Sequence, residues 1–349
     1  MKKLENIDVL LVTTPTNIRY LTGFVGVAPE EREAYVLLAG DKTYFFTSSL
    51  YMEQAKKLSP IQISSEYPIT NAIENVMNRD HRLRGDDKLE FEENDMTVAE
   101  FNKFSKLFAM IPTQGKIETL RQIKRPDEIA HLKLAASITD QCFKFLLRRI
   151  RPGVTESRLA AEIEGFCKYK GAQNAFSPIV AFNEHASQPH YDSTGNSPLR
   201  RGSLVLIDMG ARVNGYCADM TRVIFLGKPK EAWAHAYETI VQAQNTAIDL
   251  LKNGVRNGAT LDAAAKEVIA EADLPPYAHS LGHNVGLDIH EGPRLSDKKA
   301  ETLVPGMVFS IEPGVYIPGQ YGIRIEDLVR LTDTGIEILS KSPKGITIL

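Results

Sequence analysis

Four carboxylates and a cluster of imidazoles are the side chains of this sequence that could act together. Asp208 ends the apolar run Leu204-Val205-Leu206-Ile207. The chain continues through Asn214-Gly215, a strong two-residue hairpin signal, into Tyr216-Cys217-Ala218-Asp219 and a further apolar stretch to Phe225. With Asn214 and Gly215 as the loop, Val213 pairs with Tyr216 and Asp219 falls opposite Gly210. Asp208 and Asp219 then share a face as diagonal neighbours, about 7 Å apart at the backbone. Either acid alone reads as an exposed turn residue. Two acids on one face of so apolar a hairpin are costly to bury without a cation, and this favours a metal.

Two more acids follow alternating apolar positions. Glu312 closes Met307-Val308-Phe309-Ser310-Ile311, and Glu326 closes Ile323-Arg324-Ile325. The strand period of two turns each acid toward the interior and sets Arg324 and Glu326 on one face. An Arg–Glu surface pair is the bland alternative, but a Glu alternating with Ile323 and Ile325 is hard to place in water. Three histidines, His279, His283 and His290, lie within twelve positions, a density that points to ligation or acid–base work. Their spacing is not HExxH, and no GxSxG elbow is present. Four carboxylates and one imidazole suit two divalent ions, Mn²⁺, Co²⁺ or Zn²⁺. Such a pair, bridged by carboxylates and one water, would turn that water into a hydroxide nucleophile near neutral pH and polarise the carbonyl it attacks.

The elements that must carry these residues form two domains. The chain has 349 residues, too many for one modest core. Asp8–Thr13, Ala34–Ala39 and Thr43–Thr47 read as strands and Thr97–Phe108 as a helix, an α/β pattern that gathers no ligand set. The polar, basic stretch Leu120–Glu128 leads into a helix opening at Pro126 and running to about Ile150. We place the boundary there, with domains 1–122 and 123–349. A second helix starts at Thr155 and ends at Gly171, and two more lie around Lys230–Leu251 and Leu261–Ala272. The balance of 41 Lys+Arg against 44 Asp+Glu leaves no electrostatic footprint for nucleic acid or an anionic membrane. The N-terminus carries no signal-peptide core, and no segment reaches the ~18 apolar residues of a membrane span. Cys142, Cys167 and Cys217 are scattered and odd in number. They read as buried reduced thiols of a cytosolic protein, Cys217 as a small core residue rather than a ligand.

The order Asp208, Asp219, His283, Glu312, Glu326, each in its own motif, resembles the pita-bread metallopeptidases (peptidase M24), which include methionine aminopeptidase, aminopeptidase P and prolidase. Asp208-Met209-Gly210-Ala211 with Asp219-Met220-Thr221-Arg222 resembles the first ligand hairpin, and His279-Ser280-Leu281-Gly282-His283 with His290-Glu291-Gly292-Pro293-Arg294 the histidine loop. Ile311-Glu312-Pro313-Gly314 and Arg324-Ile325-Glu326-Asp327 resemble the two glutamate strands. Asn17-Ile18-Arg19-Tyr20-Leu21-Thr22-Gly23-Phe24 is similar to the opening of the creatinase-type N-terminal domain, which favours proline-specific members and above all prokaryotic prolidases. The resemblance implies a small α/β creatinase-like domain before a pita-bread fold, whose curved antiparallel sheet is flanked by helices. It implies a cytoplasmic homodimer that cleaves Xaa-Pro dipeptides with two divalent ions, Mn²⁺ first, held by the five residues named above. It further implies that Glu312 shuttles the proton, that His290 stabilises the tetrahedral intermediate, and that His190, Arg294 and Arg324 contact the peptide, Arg294 through its C-terminal carboxylate.

Two departures bear on the substrate. Asn284 follows the histidine ligand where Gly is usual; Asn is among the residues most tolerant of a positive φ, so the loop can persist, with a side chain that crowds the substrate or adds a hydrogen bond. Phe182-Asn183 stands where Ser-Gly is common. The rival within enzymes is aminopeptidase P, acting on longer peptides. A metal-free creatinase-like hydrolase and a non-catalytic pita-bread binding module are opposed by the five intact ligand positions.

Overall fold

The computed structural model describes residues 9–27, 31–58, 61–65, 69–79, 88–298 and 300–349. These divide into two compact units, Met1–Arg121 and Gln122–Leu349.

The first unit is built on a six-stranded mixed sheet. Its strands lie in the order Gln62–Ser64, Lys42–Thr47, Ala34–Ala39, Val9–Val12, Leu89–Glu92 and Met110–Thr113. Val9–Val12 is buried throughout because both faces of the sheet are covered. Val9 and Leu11 enter one core with Leu37 and Phe104, while Leu10 and Val12 enter another with Val36 and Phe45. Asp8, expected to begin this strand, lies outside the described residues. The expected helix Thr97–Phe108 forms over Val98–Phe104, with Thr97 and Glu100 as a capping box. The segment similar to the creatinase opening is a helix, Pro15–Thr22, ended by Gly23 at φ 79°. Buried Glu92 accepts the backbone N–H of Thr13 and Thr14 at its start and the amide of Asn17. The basic stretch around residue 120 is partly helical, over Lys116–Gln122.

In the second unit the apolar hairpin is the central feature. Ser203–Met209 pairs antiparallel with Met220–Leu226 on one edge and Ile179–Phe182 on the other. All of Ser203–Met209 is buried, so alternate residues serve different cores. Val205 and Ile207 pack with the helices Pro126–Leu146 and Glu156–Tyr169, through Cys142, Phe143, Leu159 and Ile163. Leu204 and Leu206 pack with the helices Glu231–Lys252 and Gly258–Glu271, together with Phe309, Ile311, Ile323 and Ile325. Helices therefore cover both faces. A second antiparallel sheet has the order Glu291–Leu295, Gly282–Asn284, Val308–Ile311, Asp327–Thr332 and Gly335–Ile338. Gly314–Ile317 pairs with Tyr321–Arg324 in a separate two-stranded ribbon. The three cysteines are buried and free, and no described helix is long and apolar enough to cross a membrane.

Candidate metal centre

Asn214 and Gly215 both adopt positive φ, 48° and 86°, as a tight hairpin turn of this kind requires. Val213 pairs with Tyr216, and the same register carries through to Asp208 opposite Thr221. Asp219 therefore comes opposite Gly210, diagonal to Asp208. Gly210 is required by close approach: a Cβ there would lie 1.8 Å from the Ala218 carbonyl oxygen. The even residues Leu204 and Leu206 point to the core that holds Ile311, Ile323 and Ile325, and Asp208 continues that face to the ends of the glutamate strands.

The structure brings the expected residues to one cavity of about 530 Å³. Asp208, Asp219, His283, Glu312 and Glu326 line it, as do His190, His290, Arg294 and Arg324. Asp219, His283 and Glu326 offer ligand atoms that all lie within 4.8 Å of one another. His283 Nε2 is 3.6 Å from Asp219 Oδ2 and 3.3 Å from Glu312 Oε1, and its ring lies 4.5 Å from that of His290, edge-on. Ser310 links two of these groups, since its hydroxyl accepts the His283 N–H and donates to Glu312 Oε1.

Arg324 and Glu326 do share a face, and Thr221 joins them. The Thr221 hydroxyl donates to Glu326 Oε2 at 2.7 Å and accepts from Arg324 Nε at 2.9 Å. Arg324 Nη2 donates to Asp208 Oδ2 at 2.6 Å, and Nη1 donates to the Tyr316 hydroxyl. All three nitrogens of Arg324 thus hold protein groups, although its side chain borders the cavity. Thr221 and Tyr316 were not anticipated. Thr221 was within reach of sequence reasoning, since the hairpin register sets it directly across from Asp208. Tyr316 lies on the strand paired with that of Arg324 in one ribbon, a hairpin that was not read from the sequence.

The electrostatics of the cluster are those of a cation site. Burial, and then the charges of Glu326, Asp208 and Glu312, hold the Asp219 carboxyl well above its ordinary range. Glu326 is raised likewise by burial and by Glu312 and Asp208. Asp208 is raised by burial against the opposing pull of Arg324. Glu312 differs: burial pushes it up, but the His283 hydrogen bond and the charges of His283, His279 and Arg324 bring it down to about 2. His290 is lowered by burial and by His283. Asp208 Oδ1 and Glu326 Oε1 are buried with no hydrogen-bond partner. Orphaned oxygens among mutually repelling carboxylates fit divalent cations, which would give them the partner that no described residue supplies.

Of the two alternatives for Asn284, the added hydrogen bond holds, and no positive φ is needed. Asn284 is not among the residues at positive φ, and its side chain turns away from the cavity. Fully buried, it donates to the carbonyls of Gly292 and Gln122, because it continues the sheet by pairing with Phe309 beyond a bulge at His283. Asn183 does sit at φ 50°, a conformation that Gly adopts freely, and its amide binds Leu204 N–H and the Ser203 hydroxyl.

Comparison with known proteins agrees with this geometry. Residues 130–333 match the description of metallopeptidase family M24, and residues 1–123 that of the creatinase/prolidase N-terminal domain. An Xaa-Pro dipeptidase of Pyrococcus furiosus is 33% identical over 345 residues, covering 98% of this chain and 96% of its own. The solved Xaa-Pro dipeptidase of Bacillus anthracis superposes with a TM-score of 0.89 at 35% identity, over 98% of this chain and 95% of that one. An X-Pro aminopeptidase from Thermotoga maritima gives 0.88 at 30% identity, over 98% of both chains.

Proposed function

The chain belongs to metallopeptidase family M24, and from that premise we propose that it hydrolyses Xaa-Pro dipeptides at the bond before proline, using two divalent ions. The observation that carries the proposal is the convergence of Asp208, Asp219, His283, Glu312 and Glu326 on one cavity with two orphaned carboxylate oxygens. Bound there, the ions would supply Lewis acidity that activates water and polarises the peptide carbonyl. Mn²⁺ is the ion we favour, since four of the five ligands are hard carboxylate oxygens.

The remaining chemistry belongs to the chain. Arg324 and Thr221 each take one oxygen of Asp208 and Glu326, which orients those carboxylates and leaves Oδ1 and Oε1 available. Glu312, held ionised, accepts a proton from the attacking water and returns it to the departing proline nitrogen. His290, kept neutral by burial, donates from its ring to the developing oxyanion. His190 and Arg294 hold the peptide. The Arg294 guanidinium suits a C-terminal carboxylate, and Arg324 acts on the substrate through Asp208. In this reading the boundary between domains 1–122 and 123–349 separates the creatinase-like domain from the pita-bread domain, and the protein works as a cytoplasmic homodimer without nucleic-acid or membrane partners.

Turnover of Ala-Pro against Ala-Pro-Ala, with metal analysis of the purified protein, tests the proposal. Preference for the dipeptide and two ions per chain are expected. A preference for the tripeptide would favour the aminopeptidase reading that the Thermotoga structure keeps open.

A further inference from the structure

Outside the metal cluster, the second unit buries another carboxylate that the chemistry above does not use. Glu156 opens the helix Glu156–Tyr169, and its side chain is 1% exposed. It accepts the Phe182 N–H at 2.6 Å and the Tyr191 hydroxyl at 2.9 Å. His185 Nδ1 lies 2.9 and 3.0 Å from its two oxygens. With Nδ1 as the donor, His185 is a third partner of this carboxylate. The His185 and Tyr191 rings also stack, 4.6 Å apart and tilted by 23°. One carboxylate thus binds a strand end, a 3₁₀ turn and a cavity-lining loop, by charge-assisted bonds of the stronger kind.

The loop in question carries His190, which lines the cavity with Pro189, Tyr191 and Asp192. It is fastened at two points just after that histidine. Tyr191 is held by Glu156 and His185. Two residues on, buried Ser193 takes the Val180 N–H at 2.7 Å and donates to the Pro178 carbonyl at 3.0 Å, tying the loop to the strand Ile179–Phe182. The chain then closes over Glu156 at Gly195, where a Cβ would fall 1.6 Å from Glu156 Oε2 and 2.7 Å from the Tyr191 hydroxyl. Among the described residues none is hydrogen-bonded to the His190 side chain, so its placement depends on its neighbours' anchors.

We propose that Glu156 is a positioning residue for substrate binding: by gripping Tyr191 and His185 it holds the loop that presents His190 to the peptide. The proposal rests on the reading of His190 as a substrate contact, and its test separates the two. Glu156→Gln, the milder Tyr191→Phe, His190→Ala and the double variant Glu156→Gln/His190→Ala are compared with the parent holoenzyme. Two readouts are used, steady-state kinetics on Ala-Pro and amide hydrogen exchange of the segment 183–195. Glu156→Gln is expected to raise KM about tenfold with kcat within about twofold, the pattern of lost uniform binding. Tyr191→Phe should shift KM in the same direction by less. The double variant should be no worse than His190→Ala alone, because residues acting through one group do not add. Exchange across 183–195 should quicken at least tenfold in Glu156→Gln while the helix Glu231–Lys252 is unchanged.

Unaltered exchange in both Glu156→Gln and Tyr191→Phe would overturn the positioning role, whatever the kinetics. Additive defects in the double variant, or a fall in kcat and metal content with KM unchanged, would overturn it as well. If His190→Ala leaves the kinetics untouched while exchange quickens as expected, His190 is not a substrate contact. The loop-holding role of Glu156 would then survive without its link to binding.

Discussion

Glu326 and Asp327 are adjacent, equally buried acids that face opposite ways and meet opposite fates. Asp327 binds Arg222 Nη2 at 2.6 Å, and Lys344 Nζ lies 3.2 Å from its other oxygen, within ion-pair range though poorly aligned for a hydrogen bond. Arg222 is itself satisfied, donating to the carbonyls of Pro343, Thr221, Glu326 and Ser342. Glu326 meets a single hydroxyl, a buried oxygen without a partner, and three other carboxylates. Burial of an acid is therefore no mark of a metal site in this molecule. What distinguishes the candidate metal face is burial of four like charges around a single guanidinium, that of Arg324. Asp327 Oδ2 also lacks a hydrogen-bond partner, but Asp327 stands alone between two cations, Arg222 and Lys344.

Removing an acid should therefore have opposite consequences on the two faces. Asp219→Asn or Glu326→Gln should lower kcat/KM on Ala-Pro by about 10⁴-fold, equivalent to about 5.4 kcal/mol of transition-state stabilisation. Metal content should fall with it. In the presence of a chelator, Glu326→Gln should melt no lower than the parent, because a repelling charge has been taken out. Unchanged peptidase rates in both variants would refute the metal site. Asp327→Asn should do the reverse. It leaves the Arg222 charge buried with less compensation, so unfolding free energy should drop by about 3–5 kcal/mol with or without metal. Urea denaturation of the chelated proteins gives both numbers. A stability loss as large in Glu326→Gln would erase the distinction between the faces.

Thr221→Val probes the boundary between them. The hydroxyl orients Glu326 and receives Arg324, so its loss should weaken metal binding by about 10–100-fold. Val fills nearly the same space, so the hairpin should persist. Titration of the chelated protein with Mn²⁺ measures the effect, and an unchanged affinity would show that Arg324 and Asp208 alone orient the cluster.

The contrast also explains what could be read from the residues in order. The Asp208–Asp219 geometry was legible because a two-residue turn sets the register locally, and Asn214 and Gly215 both take the positive φ that such a turn demands. The helices opening at Pro126 and Thr155 were legible from their starts, with Thr155 accepting the Arg158 N–H as a cap. Their ends were less so, since the first stops at Leu146 and the chain continues in turns to Ile150. The partners of Glu326 were not legible. Thr221 is 105 residues away and Arg222 binds Asp327 across the same separation, and no local period reports which strand will lie beside which. The Glu156–Tyr191 anchor was hidden for the same reason. Of the first unit, the strands Ala34–Ala39 and Lys42–Thr47 followed from short apolar runs. The role of Asn17 did not, because it donates to Glu92 and Glu118 and accepts from Arg121, on segments far along the chain.

Asn284 is the smallest of these tests and the sharpest about sidedness. It follows His283, yet its amide serves the carbonyls of Gln122 and Gly292 while His283 serves the cavity. Asn284→Gly removes two neutral hydrogen bonds and frees the backbone, both destabilising. It also removes the buried Oδ1 that has no partner, which offsets part of the cost. A net loss of about 1 kcal/mol in unfolding free energy follows. KM and kcat on Ala-Pro should stay within about twofold, because what changes lies behind the histidine rather than in front of it. A KM that moves tenfold with stability unchanged would put the Asn284 side chain in contact with the substrate, and the line between the two faces would then have to be drawn behind residue 284 rather than through it.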